Sequence, residues 1–207
     1  ILTHIGYSEK VFSMRIFLSV LILIFSLQSW TKADDISEFQ IEGMSIGDSL
    51  LDYMSETEIN SNKRNYVDGK RYYVVAYFKN LNLYDNVDIY LKRKDKNYII
   101  RTVTGQLRVK GQKCLSKKKE IEDSITKMFP NKKLVSYENA KHTFDKSGES
   151  LQSQSAILLK NHNDKDHIRI ECTFWSDKIK DKYNFEDHLN VAAMTTEILN
   201  WFIDGYN

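Results

Sequence analysis

Apolar side chains recur at every second position in segment after segment of this chain, which commits those segments to strands with one buried face. Val87, Ile89 and Leu91 alternate with polar neighbours over Asn86 to Arg93. Ile168, Ile170, Cys172 and Phe174 alternate with His167, Arg169, Glu171 and Thr173 in the same way. Arg71 to Phe78, Tyr98 to Val109, Lys133 to Tyr137 and Gln152 to Lys160 complete the strand candidates, and Lys94-Asp95-Lys96-Asn97 has hairpin length between two of them.

A helical period precedes each group of strands. Ile46, Leu50, Tyr53 and Met54 follow the capping-box spacing of Ser45 and Asp48, and Ile121, Ile125, Met128 and Phe129 repeat that period before Pro130-Asn131 stops it. Ile46-x-Asp48-Ser49-Leu50 lies over Ile121-x-Asp123-Ser124-Ile125, as a duplication would produce. Asn184 with Asp187 opens a third apolar stripe through Leu189, Ala192, Ala193, Thr196, Leu199 and Ile203. The expected fold is therefore α+β: two modules, 34–109 and 110–207, each a helix plus a three-stranded antiparallel meander, with a C-terminal packing helix.

The start of the chain reads as an export signal. Met14-Arg15 is a short basic region, Ile16 to Leu27 is an apolar run interrupted only by serine, and Thr31-Lys32-Ala33 places small residues where a signal peptidase reads. The run is shorter than the roughly 20 apolar residues a bilayer span needs, so residues 14–33 are expected to be cleaved, leaving Asp34 first and no stable membrane span. Residues 1–13 read as an upstream extension. No cysteine stands at the expected cleavage site directly after the apolar run, which argues against lipid attachment there.

Cleavage removes Lys10, Arg15, Lys32 and Glu9, so 27 basic and 27 acidic side chains remain from the 30 and 28 of the 207-residue chain. That balance argues against a nucleic-acid partner, which requires a surplus of cations. Lys110, Lys113, Lys117, Lys118 and Lys119 form a local cluster that reads as a solvated helix start, because Glu120, Glu122 and Asp123 follow it. Cys114 and Cys172 are the only cysteines. An oxidising compartment favours joining them, and closing that loop adds on the order of 4 kcal/mol in the chain-entropy model.

Several strings carry candidate chemistry. Gly43-Met44-Ser45-Ile46-Gly47 satisfies G-x-S-x-G, but too little chain precedes it for the buried strands a nucleophile elbow requires. Gly47-Asp48-Ser49-Leu50 resembles the first block of the GDSL (SGNH) hydrolases, and Asp164-x-x-His167 resembles their closing block. That resemblance implies a small exported esterase in which Ser49 attacks, His167 takes its proton and Asp164 orients the imidazole. The family's intervening glycine and G-x-N-D blocks have no match here. His162, Asp164, Asp166 and His167 are ligand types, yet their Asn-, Asp- and Lys-rich surroundings read as a solvated hairpin tip. Asp145-x-Ser147-Gly148-Glu149 lacks the glutamate an EF-hand needs, since Ala156 stands at that position.

Two further resemblances concern the whole chain. Residues Ile41 to Tyr53, Tyr84-Asp85-Asn86-Val87, Cys114, Asp145 to Gly148 and Cys172 resemble a set of uncharacterised exported proteins of alphaproteobacteria. The likeness implies export and a disulfide, and no chemistry. Gly43-Met44-Ser45 before a helix and a meander is similar to the SmpA/OmlA (BamE) outer-membrane assembly lipoproteins, which implies an adaptor surface without catalytic residues. The sequence thus points to an exported periplasmic or secreted binding or envelope-adaptor module with a protein partner and neither cofactor nor metal; the GDSL-type esterase is the alternative.

Overall fold

The computed structural model describes residues 35–65, 70–159 and 166–206. The expected extension and signal, residues 1–33, lie outside the described residues. Residues Ala33–Asn207 form one compact unit.

In chain order the elements are α1 (Glu56–Ser61), β1 (Lys63–Arg64), β2 (Tyr72–Tyr77), β3 (Asn86–Lys92), β4 (Ile100–Leu107), α2 (Gly111–Met128), β5 (Lys133–Lys141), β6 (Leu151–Leu158), β7 (His167–Phe174), α3 (Asp177–Tyr183), β8 (His188–Met194) and α4 (Thr196–Tyr206). The strands make one eight-stranded sheet in the order β1-β2-β3-β4-β8-β7-β6-β5, antiparallel at every pairing. This corrects the expectation of two helix-plus-meander modules. The element that overturns it is β8, which pairs with β4 on one side and β7 on the other and so fuses both groups of strands.

β8 was expected as helix because Leu189, Ala192 and Ala193 fit a helical stripe. In the sheet Leu189, Val191 and Ala193 line one face while Ala192 and Met194 line the other, and all five are buried. A strand covered on both faces loses the polar alternation that marks a half-exposed one, and alanine-rich strands imitate helices. The C-terminal helix exists, but it starts at Thr196.

The first expected helix is likewise replaced. Gly43 and Gly47 take φ +80° and +96°, which break any helix through Ile46. The backbone there bonds to the start of β4: Gly47 N–H donates to the Ile100 carbonyl at 3.0 Å and Leu50 N–H to the Tyr98 carbonyl at 3.0 Å. A single 3-10 turn, Leu50–Asp52, and the six-residue α1 follow, the latter capped by Ser55 and Glu58. Ile41, Met44, Leu50 and Met54 are buried in the main core, so the apolar spacing reported burial and not helix.

α2 covers one face of the sheet, over β6, β7 and β8. Its buried stripe is Cys114, Lys118, Glu122 and Ile125, whereas Met128, expected on the inner face, is exposed. Lys118 therefore does not belong to a solvated helix start. Its ammonium lies 2.8 Å from Glu122 and 3.1 Å from Glu138, and Ser155 and Ser153 donate to those two carboxylates. Full pairing makes a buried charge tolerable under a helix. The Cys114–Cys172 disulfide ties α2 to β7, with 6.0 Å between Cα atoms and both residues buried. On the opposite face α4 sets Ile198 and Trp201 against Tyr72, Val74, Tyr90 and Met194.

Candidate functional site

The pairing of β2 with β3 gathers charges that lie far apart in sequence. Tyr72 stands across from Lys92, and Arg93 N–H donates to the Arg71 carbonyl at 2.9 Å. The basic residues leading into β2 and those leaving β3 thereby become cross-strand neighbours. β1, paired along β2, adds Lys63. Lys63, Lys70, Arg71, Lys92, Arg93 and Lys94 line a cleft of about 620 Å³ whose lining, among the described residues, holds one carboxylate, Glu197 of α4. The volume falls within the range of small-molecule sites, roughly 300–1,000 Å³.

The cations are unevenly neutralised. Lys92 pairs with Glu197 at 3.1 Å and Arg71 with Asp204 at 3.2 Å. Lys63, Arg93 and Lys94 have no carboxylate within salt-bridge distance among the described residues. Lys63 Nζ instead lies 4.0 Å from the Tyr73 ring centroid and the Arg93 guanidinium 5.8 Å from it, so the ring's negative face partly offsets both charges. Arg93 also donates to the Asn65 side-chain oxygen, while its Nε is buried and has no hydrogen-bond partner among the described residues. Burial works against ionisation of Glu197, but Tyr72 and Lys92 hold its carboxyl below the usual range. Burial, followed by Glu197, pushes the Tyr72 phenol up. Like charges directly across a strand pair destabilise it, so the fold concentrates cations here at a cost.

Of the residues of the GDSL resemblance, Ser49 and His167 belong to separate parts of the sheet. Ser49 caps the 3-10 turn: its hydroxyl donates to the Asn97 carbonyl at 2.8 Å and accepts from Leu51 N–H at 3.3 Å. Asp48 accepts from Ser45 N–H at 2.9 Å and from the Tyr53 hydroxyl at 2.6 Å; burial and this carboxylate push the Tyr53 phenol up to about 12. His167 belongs to β7 and shares a row with Met194 of β8 and Thr102 of β4. Two strand spacings, about 10 Å, therefore separate it from the strand whose leading end bridges Ser49. His162 and Asp164 lie outside the described residues. Asp166 caps α4, accepting from Thr196 N–H at 2.8 Å and its hydroxyl at 2.9 Å. Among the described residues no three His, Cys, Asp or Glu side chains are grouped to hold a metal. Asp145 spends its oxygens on Ser147, Ser150 and Ser176, bracing the β5–β6 turn against the start of α3.

The basic cleft escaped the sequence reading because overall charge balance conceals a local surplus. The signal was present in Lys63-Arg64, Lys70-Arg71 and Lys92-Arg93-Lys94, since aligning two neighbouring antiparallel strands brings the last two together. No helix among the described residues is long and apolar enough to cross a membrane. No protein-family model, curated protein or solved structure matches the chain.

Proposed function

We propose that the chain is an exported, non-catalytic binding module of the periplasm or extracellular space, and that the basic cleft is where it takes an anionic ligand or the acidic group of an envelope partner. One observation carries the reading: the pairing of β1, β2 and β3 places six cations around one cavity whose lining, among the described residues, holds a single carboxylate. The Cys114–Cys172 bridge supports export, because structural disulfides persist in oxidising compartments.

The test is retention of the purified protein on immobilised dextran sulfate. The wild-type chain is expected to bind and to elute with salt, and Arg93→Glu combined with Lys94→Glu to pass through while melting normally. Equal retention of the two proteins refutes the cleft as the binding site. N-terminal sequencing of the periplasmic fraction is expected to begin at Asp34.

A further inference from the structure

Resting on the anion-binding reading, we infer that the cleft is selective for a compact ligand carrying two or more adjacent phosphate groups. Charge density is the first reason. Three of the cations that border about 620 Å³, Lys63, Arg93 and Lys94, have no carboxylate partner among the described residues, and a single carboxylate leaves most of that charge unmatched, whereas neighbouring phosphates deliver several negative charges within the same space. An extended sulfated chain spreads its charge along its length and engages such a cavity with only one or two groups at a time.

Geometry is the second reason. Arg71 and Arg93 are cross-strand neighbours joined by a backbone hydrogen bond of 2.9 Å, but Asp204 engages the Arg71 guanidinium, so the fork offered to a ligand is that of Arg93. A guanidinium fork matches two oxygens of a phosphate. The Arg93 fork is half used: one terminal nitrogen is engaged by Asn65, and the buried Nε has no acceptor among the described residues. A phosphate oxygen supplies the acceptor that this donor lacks. Lys63 and Lys94, which have no carboxylate partner among the described residues, add point charges beside it.

The same chemistry occurs in a soluble diphosphate and in a lipid headgroup bearing two phosphates. Titration calorimetry of the full chain with sodium pyrophosphate, and flotation with phosphatidylcholine vesicles containing cardiolipin, separate the two sources. Pyrophosphate binding identifies a soluble source, and vesicle binding without it identifies a lipid one. In either case Arg93→Gln is expected to weaken binding about tenfold, and Arg93→Lys nearly as much because the fork is lost while the charge remains. Lys94→Asn, which suits the left-handed backbone at φ +66°, is expected to weaken it less and serves as the folded control. Binding unchanged in Arg93→Gln overturns the assignment. Binding to dextran sulfate with none to pyrophosphate or cardiolipin overturns the phosphate class and leaves the anion site standing. Binding to none of the three overturns both.

Discussion

At the scale of single residues, polar side chains hold loops that have little regular structure of their own. Glu42 stands at φ +51°, and its carboxylate accepts from the backbone N–H groups of Asn82, Leu83 and Tyr84. Burial opposes the charge, but those amides hold the Glu42 pKa below its ordinary value. Tyr84, positioned by that carboxylate, lies over Gly105 in β4, where a Cβ would sit 2.6 Å from the ring. Glycine is needed at this point for close approach. Gly105→Ala is therefore expected to displace the Tyr84 ring and cost about 1–3 kcal/mol, read as a lower urea midpoint with an unchanged slope. A neutral result would mean the ring moves aside freely.

Among the elements, β8 decides the architecture. It runs between two groups of strands, and Val191, fully buried, pairs with Gly105 on one side and Ile170 on the other. A fragment of residues 34–109 therefore lacks the strand that covers the free edge of β4 and is expected to show no cooperative thermal transition. A sharp transition in that fragment would reinstate a self-sufficient first module. At the far edge, β5 is nine residues long, and an irregularity between Tyr137 and Ala140, with Asn139 at φ +53°, interrupts its pairing. Bulges of this kind blunt an edge that would otherwise template further strands.

For the whole molecule, stability is linked to redox state and to pH. Both cysteines are joined in the disulfide and carry no thiol, so alkylation without reduction, even after denaturation, is expected to label neither, and reduction to lower stability by up to about 4 kcal/mol. Intact mass before and after reduction, with urea melts of each form, tests this. Acid is expected to destabilise the fold in two stages. Burial lowers the His142 pKa, with Glu171 and Asp145 opposing and His188 and Arg169 assisting. The unfolded histidine therefore gains its proton first as pH falls below about 6.5, and folded stability declines. Hydrogen bonds from Ser150 and Ser147 hold Asp145 well below the carboxylate range, so its contribution is complete above pH ~4 and is lost on further acidification. The urea midpoint should fall steadily from neutral pH downward. A flat profile in His142→Phe between about pH 7 and 5 would assign the first stage to His142.

What the sequence determined by itself is local. Side-chain period located β2, β3, β4, β6 and β7 to within a few residues, Pro130 marked the end of α2, and a lone cysteine pair with one member on an apolar strand face identified the disulfide. These features depend on neighbours along the chain or on there being a single possible partner. Only the tertiary structure decided the rest. Leu189 to Met194 is a strand because β4 and β7 flank it, Lys118 and Glu122 turn inward because Glu138, Ser153 and Ser155 await them, and the basic cleft exists because a hairpin register aligns residues more than twenty positions apart. Each depends on groups distant in sequence, and neither hydrophobic period nor net charge carries information about which distant groups will meet.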